Sequence, residues 1–220
     1  MRLNADFSQR AISTESAAEW IRSPESGVER RMLDRIGDEV ARATSIVRYL
    51  PGSSFPRHSH EKGEEFLVLE GVFSDELGAY PAGTYVRNPP GSAHNPFSTD
   101  GCRILVKLRQ FNADDLTPVV IDTRDGQSWQ MDEASGGDVR TLYSFGDEQV
   151  SMLRFKSGQD ISINVDYGGL EWLLLSGSLR FDSSDYSAES WFRFPAGDSF
   201  KMHAIEDCRI WQKIGHLPSD

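Results

Sequence analysis

Residues 52–71 read GSSFPRHSHEKGEEFLVLEG, and residues 158–177 read GQDISINVDYGGLEWLLLSG. Both stretches begin and end on glycine. Gly63 matches Gly169, Glu65 matches Glu171, Leu67 matches Leu173 and Leu69 matches Leu175, always 106 residues apart. Working outward, residues 45–107 lie over 151–213 without a gap, with about a quarter of the positions identical. Arg48 meets Arg154, Tyr80 meets Tyr186, Arg87 meets Arg193, and Cys102-Arg103-Ile104 meets Cys208-Arg209-Ile210. The identities gather at turn glycines and apolar strand positions, the signature of an internal duplication.

The match extends upstream with a small gap. Trp20 and Gly27 correspond to Trp129 and Gly136, and Gly37-Asp38-Glu39 to Gly146-Asp147-Glu148. Each copy, roughly 13–111 and 118–216, is too long for a solenoid repeat and suits a small domain. Two domains are therefore expected: residues 1–111, a barrel with an N-terminal extension, and residues 118–220. The polar stretch 112–117 (NADDLT) is read as their joint.

Each copy reads as all-β. Short runs such as SIVRYL, EFLVLEGVFS, GTYVRNPP and CRILVKLRQF are rich in β-branched and aromatic residues. Turn signals recur every 8–12 residues, which favours a sandwich or barrel. The one helix candidate is 29–36.

The chemistry lies in the first copy. His58-Ser59-His60 places two imidazoles on one strand face, because side chains alternate. Glu64 follows four residues later, past Gly63, where the backbone can bend. His94 arrives from a distant strand behind the Pro89-Pro90-Gly91 turn. Two neighbouring strands facing one interior can thus gather three nitrogens and a carboxylate oxygen, a donor set that binds divalent metals. By parity with Glu64, Phe66 and Val68 point the same way, and Tyr85 and Phe97 are candidates to line a pocket beside the metal.

Glu65 competes with Glu64 for the ligand role. The second copy keeps a glutamate at the Glu65 position (Glu171) but has Leu170 at the Glu64 position. Asn164, Asp166 and Phe200 replace His58, His60 and His94. All four ligands are lost together while the framework persists, so Glu64 is the expected ligand and one metal per chain is expected. His203 and His216 lie outside the motif and are read as structural or surface groups. Cys102 and Cys208 are read as small buried hydrophobes.

The net charge of −11 and pI of about 4.9 oppose binding to phosphate backbones. The N-terminus has no apolar leader-like segment, and no run is apolar enough to span a membrane. Two cysteines fit a reducing cytoplasm, the expected location.

The two motifs, GSSFPRHSHEKGEEFLVLEG and GTYVRNPPGSAH, resemble the signature motifs of the cupin superfamily, whose fold is a double-stranded β-helix or jelly-roll barrel. The second departs after its histidine, with Ser98 where cupins commonly carry Asn. The stretches ERRMLDRIGDEVARATSIVRY, GEEFLVLEGVFSDELGAYPAGTYVRNPPGSAHNPF and DGCRILVKL are similar to the cupin domain of the anti-sigma factor ChrR and its relatives. With the internal duplication it points to two tandem cupin barrels, a bicupin, and the resemblance implies zinc on His58, His60, Glu64 and His94. Iron, nickel and manganese are the alternatives. It also implies a stress- or ligand-sensing regulatory role, with a small-molecule ligand or a sigma-factor-related protein as partner and a homodimer open. The first 40 residues hold no cysteine or histidine, so the zinc-binding helical sigma-clasping domain of ChrR is not expected here. The alternative function is a metal-dependent enzyme such as a cupin dioxygenase.

Overall fold

A computed structural model describes every residue except 18, 125, 127, 128, 134, 219 and 220. It is all-β, as the sequence indicates. The one helical turn among the described residues is Glu15–Ala17. The chain divides into two compact units, Met1–Ala5 with Ala18–Asp125, and Asp6–Ala17 with Gly126–Asp220.

In the first unit the strand Glu64–Asp75 organises everything else. Its first half pairs with Cys102–Leu108 on one side and Thr84–Asn88 on the other, so that Leu67 lies opposite both Leu105 and Tyr85. A register shift between Arg103 and Ile104 leaves Leu69 as the extra residue, a β-bulge that bends the strand. Beyond the bend its second half pairs with Gly78–Pro81 and meets Phe97 at Ser74. Gly71 sits at the bend with φ of +70°, where a Cβ would stand 2.1 Å from the Gly101 carbonyl oxygen. The second unit repeats the device. Its register shifts between Leu174 and Ser176, and Gly177 has φ of +86°. One duplicated bulge thus turns one duplicated strand across the two layers of a jelly roll.

The register sorts side chains between two faces. Glu64 opposes Asn88, Phe66 opposes Val86, Glu65 opposes Arg87 and Leu67 opposes Tyr85. Phe66, Val68, Val86, Ile104 and Val106 form an apolar core with Phe73 and Tyr80 on the Glu64 face. Each such buried side chain contributes roughly 1.5–3 kcal/mol. The opposite face carries a buried polar network. Glu65 Oε2 accepts from the Tyr85 hydroxyl at 2.5 Å and from Arg87 Nη1 at 2.8 Å. Arg87 Nη2 donates to Asp115 Oδ2 at 2.6 Å, and its guanidinium covers the Phe111 ring at 4.2 Å. Asp115 belongs to the polar stretch 112–117, and the strand Val119–Asp122 continues the same sheet beside Thr84–Asn88.

The segment 29–36 is not helical. It lies within the ten-residue strand Val28–Gly37, paired with Ala41–Tyr49. Its glutamate, arginines, methionine and leucine are good helix formers, and Met32, Leu33 and Ile36 mimic a helical face. A register shift between Met32 and Asp34 breaks the strict alternation that would have revealed a strand. Sheet pairing and the burial of Arg31 and Asp34, at 0% and 1% exposure, override the local preference.

Candidate metal centre

His58 and His94 face each other across a short antiparallel ladder, His58–Ser59 with Ala93–His94. His60 follows, and Glu64 begins the long strand. Gly63 makes the intervening turn possible. Its φ is +75°, and a Cβ there would lie 2.3 Å from the Phe111 ring. The four side chains bring one donor atom each to within 4.8 Å of one another, close enough for one ion to bridge. The imidazole centroids lie 4.6 to 5.0 Å apart.

The protonation pattern is set by what each ring does with its other nitrogen. His58 Nδ1 lies 2.9 Å from the Pro56 carbonyl, which can only accept. His94 Nδ1 lies 3.1 Å from Asp75 Oδ2, a carboxylate, which also accepts. His60 Nδ1 lies 2.9 Å from Ser92 Oγ, whose own proton goes to the Pro89 carbonyl at 2.7 Å. All three rings therefore carry their proton on Nδ1 and present the lone pair of Nε2. His60 Nε2 is 3.6 Å and His94 Nε2 is 3.5 Å from Glu64 Oε1. Burial holds the His60 imidazole below its ordinary value, the Glu64 charge offsetting this only in part.

These residues fit a divalent ion. His60 Nε2 is a buried nitrogen with no hydrogen-bond partner. Such an atom is costly to bury unless something binds it. Glu64 is 6% exposed, its ion-pair contacts among the described residues are the two histidines, and Asn88 Nδ2 donates to it at 3.3 Å. A buried carboxylate facing three imidazole nitrogens calls for a cation among them. Glu65 points to the other face, into the Tyr85 and Arg87 network, and is not part of the group.

A known family matches the half of the chain that carries the site. The family described as the ChrR cupin-like domain matches residues 8–112. The chain carries a ChrR-like cupin domain. No curated relative matches it. Solved structures share the fold over nearly its whole length. A candidate dioxygenase of Nostoc punctiforme is 13% identical with a TM-score of 0.79, covering 97% of this chain and 85% of its own. The bacterial pirin YhhW of Escherichia coli, solved with nickel(II), is 14% identical with a TM-score of 0.65, covering 96% and 100%. Oxalate decarboxylase of Bacillus subtilis is 12% identical with a TM-score of 0.62, covering 96% and 78%. At these identities the likeness is one of fold.

Of the remaining residues expected around the centre of this cupin, Phe66 and Val68 do share its face. Phe66 packs at a tilt against Phe73 at 4.7 Å, and Phe73 approaches His94 at 5.9 Å. Tyr85 does not line the site. It is fully buried on the opposite face, its hydroxyl held by Glu65, because strand alternation places it with Leu67 rather than Phe66. Phe97 is 39% exposed and pairs with Ser54 and Ser74, clear of the three histidine rings. His216 is buried against Glu171 at 3.0 Å, and His203 lies at the surface beside Asp160. Both cysteines are free and buried.

The supporting residues Asp75, Asn88 and Ser92 were not evident from the ligand motif. The second copy carries a signal for them. At the same shift of 106 they become Phe181, Phe194 and Asp198, while His94 becomes Phe200. In the second unit Phe194 and Phe200 stack at 3.9 Å, and Phe181 meets them edge-on at 5.7 and 6.2 Å. An aromatic cluster occupies the place of a ligand set and its supports.

Proposed function

We propose that this cupin binds one divalent metal per chain through His58, His60, Glu64 and His94, zinc foremost and iron, nickel or manganese as alternatives, in a regulatory module that responds to a small-molecule ligand. The observation that carries this is the set of three Nε2 lone pairs converging on Glu64 while every Nδ1 is engaged elsewhere. A metal held there would supply Lewis acidity toward a ligand oxygen. The chain's own contribution is to fix the three rings, to keep His60 neutral by burying it, and to hold a compensating carboxylate in a mostly buried setting. His58 is half-buried and forms the side by which a ligand reaches the centre.

The thiols do not suit oxidant sensing. Burial pushes both Cys102 and Cys208 up to about 11, so neither is a thiolate near neutral pH. A response to an oxidant would pass through the metal centre, and its output to a sigma-factor-related protein or a second copy of the chain.

An enzymatic reading, such as a dioxygenase, is favoured by the donor set itself. Four protein ligands leave coordination positions on a six-coordinate ion. The deciding experiment is elemental analysis of natively expressed protein, followed by oxygen uptake with diketones and phenols. One metal per chain, lost in His58→Ala and Glu64→Ala and kept in Asp166→Ala, supports the site. Two metals per chain would overturn the single-site reading, and turnover with oxygen would replace regulation with catalysis.

A further inference from the structure

The second unit holds a cavity of about 790 Å³ that Asn164, Asp166 and Leu170 help to line. These are the residues 106 positions on from His58, His60 and Glu64. The volume is within the range of small-molecule sites, about 300–1,000 Å³. Losing the metal has therefore not closed the mouth of this jelly roll.

Gln212, 9% exposed, is among the lining residues. Its Oε1 accepts from Trp172 Nε1 at 2.7 Å, which fixes the orientation of the amide. Its Nε2 has no hydrogen-bond partner among the described residues and is left to donate to what enters the cavity that Gln212 lines. In the first copy the same two positions are Val106 and Phe66, both plain core. The second copy thus lost four ligands and carries an oriented polar side chain where the first copy has apolar core.

The rest of the lining restricts what can bind. Asp132, Asp147 and Asp166 contribute carboxylates, and no lysine, arginine or histidine among the described residues lines the cavity. Phosphates and carboxylic acids are repelled. A simple ammonium could meet the carboxylates but offers no acceptor to Gln212 Nε2. A hydroxyl group does both, accepting from the amide and donating to an aspartate. Tyr167, 69% exposed at the rim, adds an aromatic surface for an apolar ring face.

We propose that this cavity binds a neutral polyhydroxylated molecule of mono- or disaccharide size. Gln212 donates to a ligand hydroxyl, and Asp166 accepts from another. The site is independent of the metal centre of the first unit.

The test is saturation-transfer NMR on the full-length protein with D-glucose, maltose and myo-inositol as probes, and spermidine and citrate as controls. The expected result is transfer to at least one polyol and none to citrate. Gln212→Val should abolish that transfer. Asp166→Ala, an exposed change that leaves the core intact, should weaken binding about tenfold. His58→Ala and chelator should leave it unaltered, which separates this site from the metal. Transfer to no polyol, transfer to spermidine alone, or polyol transfer surviving either variant unchanged would overturn the proposal.

Discussion

Asp75 Oδ2 lies 3.1 Å from His94 Nδ1, and both side chains are buried at 3% exposure. The same carboxylate accepts from the Leu77 and Gly78 amides and from the Tyr80 hydroxyl through Oδ1, at 2.8 to 3.2 Å. A carboxylate so fixed dictates both the rotation and the tautomer of the imidazole it faces. Asp75→Asn keeps the shape but removes the charge. Metal affinity should fall about 10–100-fold while the fold is retained. Competition titration against a chromophoric chelator measures the first, and circular dichroism the second. Unchanged affinity would show that Asp75 only closes its hairpin.

The adjacent glutamates should fail in different ways. Glu64→Gln removes the centre's carboxylate and should abolish stoichiometric metal binding with little change in metal-free stability. Glu65→Gln leaves the centre alone and disturbs the buried Arg87, which is also held by Asp115. Breaking a buried ion pair destabilises on the order of 3 kcal/mol. Denaturant unfolding and elemental analysis on the same two proteins separate the cases, and a reversed pattern would sink the assignment.

The ligand set was legible because it combines two local rules, His-x-His on one strand face and a glycine turn before Glu64, with a second copy in which all four positions change. The duplicated bend at Gly71 and Gly177, next to the bulges, was visible as paired glycines, though not as a turn between layers. Tyr85 was misplaced because its distance in sequence from Glu64 carries no parity. Only the pairing of Tyr85 with Leu67 fixes its face. Strand Val28–Gly37 was hidden by helix-forming residues and a bulge that scrambled its alternation. Asp75 sits 19 residues from His94, on a hairpin, where no spacing rule reaches it. Its replacement by Phe181 in the copy that lost the ligands is the trace it leaves in the sequence.

Acid should act on the metal-free protein through His60. Burial lowers the proton affinity of this ring in the folded state relative to its ordinary value of 6.5. Below that value the unfolded chain binds the proton more readily than the folded one, so stability declines as pH falls from about 6.5 toward the lower folded value. Bound metal shifts the balance further, because protons compete for the same nitrogens. Thermal unfolding across pH 7.5 to 5, with and without chelator, should show both effects (roughly level above 7 for the metal-free chain). His60→Ala should flatten the metal-free curve, and an unchanged slope in that variant would assign the dependence elsewhere.

Chelation and aromatic truncation should strike different units. A metal bound to the folded state alone stabilises it by mass action, so its removal should lower the melting temperature of the first unit. Among the described residues the second unit has no such ligand set to empty. Its corresponding region is the Phe181, Phe194 and Phe200 cluster, with Phe200 only 5% exposed. Phe200→Ala should therefore cost about 3–5 kcal/mol by leaving a cavity among stacked rings. It should leave the metal count at one, because His58, His60, Glu64 and His94 all lie outside that unit. Hydrogen exchange by mass spectrometry reads the two units separately. Chelator should loosen amides in 58–94 and Phe200→Ala those in 170–202. If Phe200→Ala also stripped the metal, the two copies would be energetically coupled, and the second could no longer serve as the independent, metal-free counterpart of the first.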